Sequence, residues 1–131
     1  MAVRFIPGEL VVTIHNDLMK RYGGKQGIRD ENLLSSALAQ PQMTAFGKDI
    51  HKSLVEKASA YGFHVCKNHP FNDGNKRIAI VLMDMFLQIN GWEIIATEED
   101  AYSIMMNLAS GNCTKQQLAE WLKNQTAKLS K

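Results

Sequence analysis

The chain has 131 residues, 45% of them hydrophobic, and a formal net charge of +2. That length suits a single domain, residues 1–131, whose core needs neither metal nor disulfide staples. So mild a charge, with Lys and Arg scattered along the chain, argues against direct nucleic-acid binding, and no apolar run approaches the ~18 residues of a membrane span.

Met1 to Gly8 lacks the charged-then-apolar layout of a secretion signal. Cys66 and Cys113 are far apart and belong to no Cys-x-x-Cys pair, so two free thiols in a reducing cytoplasm are expected.

The first helix is predicted from about Gly8 to Tyr22, where Leu10, Val11, Ile14 and Leu18 recur at helical spacing. Gly23 and Gly24 stop it, and Lys25 to Arg29 reads as a loop. Asp30 caps a second helix with Leu33, Leu34, Ala37 and Leu38 on its apolar side, and Pro41 ends it. From Pro41 to about Ile50 the pattern is irregular. A third helix is expected from about His51 to Lys67, carrying the stripe Leu54, Ala58, Tyr61 and Val65. Gly62 within it either permits a close helix contact or marks a weak point, costing about 1 kcal/mol against alanine.

From about Asn75 to Asn90 the chain is apolar nearly all round, so this helix should be central and buried on most sides. Its single acid, Asp84, fits a paired or marginal position. Trp92 to Ala96 reads as a short extended piece. Thr97 then caps a helix to about Ala109, with Glu98, Glu99 and Asp100 in the favourable first turn. Thr114 and Gln117 form a capping box for a last helix through Trp121 and Leu122. The sum is an all-α domain of about six helices.

Chemistry concentrates in His69-Pro70-Phe71-Asn72-Asp73-Gly74-Asn75-Lys76-Arg77, where a loop enters the central helix. The first N–H groups of a helix have no internal partner and, with the dipole, attract anions. Gly74 lets a phosphate approach; Asn75 can donate, and Lys76 and Arg77 add charge, arginine with a two-pronged grip. A carboxylate beside a phosphate site, here Asp73, is how Mg²⁺ is usually held. Imidazole is the side chain whose unperturbed pKa lies near neutrality, so His69 can take a proton from an attacking hydroxyl. Phe71 reads as a core anchor. His15, His51 and His64 read as structural or solvated, and His64 with His69 have the wrong spacing for two metal ligands on one helix face. The tripeptide Asn72-Asp73-Gly74 by itself is only a turn signature.

The string resembles the signature of the Fic/Doc family, H-x-F-x-D/E-G-N-G-R-x-x-R, and more closely its Doc (death-on-curing) form, H-x-F-x-D/N-A/G-N-K-R. His69, Phe71, Asp73, Asn75, Lys76 and Arg77 carry the match. Phe5-Ile6-Pro7, Tyr22-Gly23-Gly24, Gly27-Ile28-Arg29-Asp30, Leu33-Leu34, Asn90-Gly91 and Trp121-Leu122 extend it along the chain. The resemblance implies the Fic helical domain. It makes His69 the general base and Asp73 the Mg²⁺ ligand. Gly74, Asn75, Lys76 and Arg77 would bind the phosphates of ATP. A flap that docks the target backbone would fall within Pro41 to Ile50.

AMP-transferring members have glycine where this chain has Lys76, and a second arginine where it has Ile80. In Doc-like members these changes accompany a reversed nucleotide. The resemblance then implies a kinase that phosphorylates a threonine of elongation factor Tu and stops translation. The inhibitory helix of many Fic proteins, [S/T]-x-x-x-E-[G/N], is not found, which implies restraint by an antitoxin encoded nearby. The rival readings are an AMP-transferring enzyme, a non-enzymatic member that binds only nucleotide or antitoxin, and a helical module without a ligand.

Overall fold

The computed structural model describes residues 2–130; residues 1 and 131 of the predicted domain lie outside them. In chain order the helices and strands are α1 (Gly8–Tyr22), α2 (Glu31–Ala39), β1 (Thr44–Ala45), β2 (Lys48–Asp49), α3 (Leu54–Asn68), α4 (Asn75–Ile89), β3 (Trp92–Ile94), α5 (Glu98–Ala109), α6 (Lys115–Asn124) and β4 (Thr126–Lys128). A 3-10 turn, Gln40–Gln42, follows α2 and contains the proline expected to end it. With six helices and strands of two or three residues, the domain is all-α as predicted. No helix of the described residues is long and apolar enough to cross a membrane.

Helices start where a side chain can satisfy the free N–H groups of the first turn. The Asp30 carboxylate accepts from the Leu33 N–H at 3.0 Å, and the Thr97 hydroxyl accepts from the Asp100 N–H at 3.1 Å. Thr114 and Gln117 form the expected reciprocal box. The start of α3 differs from the sequence reading. It begins at Leu54 rather than His51, because Ser53 takes extended backbone and forms a capping box with Glu56.

The core is built around α3 and α4. α3 packs against α2, α4, α5 and α6, and Ala58, Tyr61, Val65, Ile78, Leu82 and Phe86 are fully enclosed. Enclosing each large apolar side chain contributes about 1.5–3 kcal/mol relative to leaving it in water. A Cβ on Gly62 would run into Met83 of α4, so glycine here permits the close helix contact. Asp84 is paired: its carboxylate accepts from the Ile94 N–H at 3.1 Å and from Gln88 Nε2 at 2.9 Å, tying α4 to β3. The extended piece at Trp92 finds a partner that had no signal in the sequence. β3 and β4 pair antiparallel, with Trp92 opposite Lys128 and Ile94 opposite Thr126.

The patternless stretch Pro41 to Ile50 holds a hairpin. β1 and β2 pair with Thr44 opposite Asp49 and Ala45 opposite Lys48. Phe46 and Gly47 turn it with φ of 53° and 76°, the positive values that a tight two-residue hairpin needs at both central positions.

Lys115, the first residue of α6, joins the end of this stretch to α3. Its ammonium donates to Nε2 of His51 at 3.1 Å and to Nε2 of His64 at 3.2 Å. Burial, then the charge of Lys115, pushes the His64 imidazole down to about 4 and lowers His51 as well. In the unfolded chain both titrate near 6.5. The stability that depends on neutral imidazoles is therefore present above 6.5 and lost as pH falls towards 4. The thermal midpoint should fall over this window, and less so in His64→Gln. Equal acid sensitivity of the two proteins would remove His64 from the account.

Candidate active site

His69 ends α3 in the left-handed region, at φ 50°. Such a conformation is uncommon outside glycine and has to be held by its surroundings. Arg29 holds it: Nε donates to the His69 carbonyl at 2.7 Å and a terminal nitrogen donates to the Asn68 carbonyl at 3.0 Å. A guanidinium here also complements the negative end of the helix. The His69 side chain is left exposed.

The loop from Pro70 to Gly74 lies against the predicted loop Lys25 to Arg29 and the cap residue Asp30. The N–H groups of Arg29 and Asp30 donate to the Pro70 carbonyl at 2.7 and 3.0 Å, and the Asn72 N–H donates to the Gly27 carbonyl at 3.0 Å. Phe71 is wholly enclosed, as expected of an anchor. Its ring lies flat on that of His15, with centroids 3.8 Å apart and planes 10° apart. His15 is buried too, and its Nε2–H donates to the Asp73 carbonyl at 2.8 Å. It is structural, as read, but the structure it supports is the site.

The Asp73 carboxylate faces solvent with both oxygens steadied. Oδ2 accepts from the Lys25 N–H at 3.0 Å and Oδ1 from the Gly74 N–H at 2.8 Å. These two N–H donors, Lys25 first, hold the carboxyl below its usual range, so it stays ionised. Among the described residues no group of three or more His, Cys, Asp or Glu side chains could hold a metal. A cation at Asp73 would therefore be completed by water and phosphate oxygens, the habit of Mg²⁺.

Gly74 caps α4 at φ 72°, and a Cβ there would strike the Met19 side chain. The Ile78 N–H reaches back to the Gly74 carbonyl at 2.9 Å. The N–H groups of Asn75, Lys76 and Arg77 therefore have no helical carbonyl within reach and form the anion-attracting end. The side chain of Asn75, expected to grip phosphate, is instead engaged by the loop. Buried, it accepts from the Phe71 N–H and donates to the Phe71 carbonyl, each at 3.0 Å. What Asn75 presents to an anion is its main-chain N–H. Lys76 and Arg77 are half-exposed on the same helical turn.

These residues share one cavity of about 330 Å³, lined by His69, Asp73, Gly74, Lys76 and Arg77 together with Tyr22 and Tyr102. A second cavity of about 500 Å³ adjoins it across Tyr22, Arg77 and Tyr102, with Ile80, Glu98 and Glu99 on its walls. The Arg77 guanidinium lies 3.8 Å from the ring centre of Tyr22 and 6.0 Å from that of Tyr102. Stacking on aromatic faces limits how far the guanidinium can swing. The two tyrosines, Met19 and His15 were not singled out as site residues. A signal existed for three of them: His15, Met19 and Tyr22 are spaced four and three apart on α1, so they share a face.

An anion-drawing helix start beside an ionised carboxylate and an imidazole suits a transferase. Comparison with known proteins places it more closely. The profile of the Fic/DOC family matches residues 5–87, and the chain belongs to that family. It is 36% identical over 100 residues to Toxin Doc of Mycolicibacterium smegmatis, covering 75% of this chain and 77% of that protein. It is 27% identical over 121 residues to Protein kinase doc of Escherichia phage P1, covering 92% and 94% of the two.

Proposed function

We propose that the protein is a Doc-like toxin that moves the γ-phosphate of ATP to a hydroxyl of a protein, with a threonine of elongation factor Tu as the acceptor. The observation that carries this reading is the wall beyond Arg77. There Ile80, Glu98 and Glu99 line the larger cavity. Carboxylates repel phosphates and isoleucine gives them no charge, so that cavity suits the nucleoside. The phosphates then run over the start of α4, and the terminal one lies towards His69.

In this scheme His69 takes the proton of the acceptor hydroxyl as its oxygen bonds the γ-phosphorus. The bond from that phosphorus to the β–γ bridging oxygen breaks, and ADP leaves. The N–H groups of Asn75 and Lys76 and the side chains of Lys76 and Arg77 hold the phosphate oxygens. Mg²⁺ bound at Asp73 would neutralise charge on the transferring group. Such a toxin works in the cytoplasm, where its target is, and a small antitoxin encoded nearby would cover the open active-site face.

ATP labelled separately at the α and γ positions tests the direction of transfer. We expect elongation factor Tu to gain γ label alone, with ADP released. A mass gain equal to AMP, with α label retained, would sink the kinase reading. The double change Lys76→Gly with Ile80→Arg opens space and adds charge where the AMP-transferring pattern has both, so it should shift part of the transfer towards AMP.

A further inference from the structure

A glycine leaves a choice open at the entrance to α4. Gly74 stands at φ 72°, but glycine adopts positive and negative φ about equally well. The Asp73–Gly74 peptide can therefore turn over as a unit with little backbone cost at the glycine. The peptide is trans, and in a trans peptide the carbonyl and the N–H point opposite ways. Whatever fixes the one fixes the other. The Asp73 carbonyl accepts from Nε2 of His15 at 2.8 Å, and the Gly74 N–H donates to Oδ1 of Asp73 at 2.8 Å. The second bond is at the surface, where water competes for both partners. The first is made by a fully buried ring. Among the described residues Nδ1 of His15 has no hydrogen-bond partner, so the bond to Asp73 is the ring's only one. Turning the peptide over would leave both ring nitrogens buried and unpaired, a costly state for polar groups. The ring cannot follow the peptide, because it lies flat on Phe71. Met19, one turn along α1, closes the space beside Gly74.

We infer that His15 is a positioning residue for the metal and phosphate site: its Nε2–H selects the orientation of the Asp73–Gly74 peptide that aims an N–H, not a carbonyl, at the Asp73 carboxylate. The inference rests on the reading that Asp73 binds Mg²⁺ beside the phosphates. With the peptide reversed, a carbonyl oxygen would face Oδ1, and two oxygens carrying negative charge repel. The carboxylate would keep only the Lys25 N–H at Oδ2, and its second oxygen would no longer be pre-set for a cation. Outer groups that orient a ligand in this way contribute strongly to metal affinity. His15 itself touches neither ATP nor the reacting atoms, and acts through Asp73.

Two substitutions separate the donor from the ring. His15→Phe keeps a ring to stack on Phe71 and loses the donor. His15→Gln keeps an N–H near the place of Nε2 and loses the ring. Half-saturation of transfer by Mg²⁺ should rise about tenfold in His15→Phe and stay within about twofold of wild type in His15→Gln, even where His15→Gln has the lower thermal midpoint. A merely structural role would give the less stable variant the greater loss of Mg²⁺ affinity, and that ranking would overturn the inference. Should His15→Phe not fold, His15→Asn takes its place, since its shorter amide falls short of the Asp73 carbonyl. The peptide is read separately by NMR relaxation dispersion without nucleotide or metal. Exchange on the μs–ms scale should appear at the Gly74 N–H in the donor-less variant and be absent from wild type. No difference between the two would overturn selection by His15, as would a wild-type His15 ring whose nitrogen shifts place its proton on Nδ1 alone. Wild-type transfer indifferent to Mg²⁺ would defeat the metal reading and the positioning role with it, whereas the dispersion reports on the peptide alone.

Discussion

His69→Asn should lower phosphoryl transfer by a factor on the order of 10²–10⁴, the usual contribution of a positioned general base. Growth arrest on expression without a partner should vanish with it. Asparagine is the informative replacement. His69 sits at φ 50°, and asparagine tolerates the left-handed region better than alanine does. The imidazole is exposed and its main-chain carbonyl, not its ring, is what Arg29 holds. The loop should therefore survive the change, and the thermal midpoint should stay at the wild-type value. Arrest of growth by His69→Asn as complete as by wild type would remove the base from the mechanism.

Asp73→Asn should lower transfer by a factor on the order of 10² or more, since charge stabilisation by a bound cation is worth several kcal/mol in such reactions. The substitution keeps an oxygen for the Gly74 N–H but puts an amide where the Lys25 N–H now meets Oδ2. It also removes the negative charge that a divalent cation needs. Half-saturation by Mg²⁺ should move up by at least about tenfold. Because N–H donors hold the carboxyl below its usual range, wild-type Mg²⁺ dependence should persist into mildly acidic solution. Undiminished transfer in the presence of excess chelator would take the metal role away from Asp73.

Much of this architecture was legible beforehand because its signals are local. α1, α5 and α6 begin where the sequence placed them, since apolar spacing and caps such as Thr97 and Thr114 with Gln117 act within a single turn. α3 starts later than its predicted His51 because Ser53 and Glu56 form a capping box there. The hairpin escaped because Phe46, a poor candidate for positive φ, occupies a turn position usually given to Asn, Asp or Gly. β4 escaped because its partner β3 lies more than thirty residues earlier, and no local pattern encodes such a pairing.

What the sequence by itself determined is the content of the site and its place at a helix start. His69, Asp73, Gly74, Lys76 and Arg77 lie within nine residues, and the apolar run that follows them is long enough for a buried helix. Only the tertiary structure decided how those groups are used. The amide of Asn75 turns inward because two polar groups of Phe71 would otherwise be buried unpaired. His15 and Arg29 became supports of the loop because α1 and the segment before α2 pack against it. Lys57 became buried because the returning leg of the hairpin offers a carboxylate and carbonyls to its charge. Each of these depends on atoms brought together from far along the chain, and periodicity and capping report only on neighbours within a turn or two.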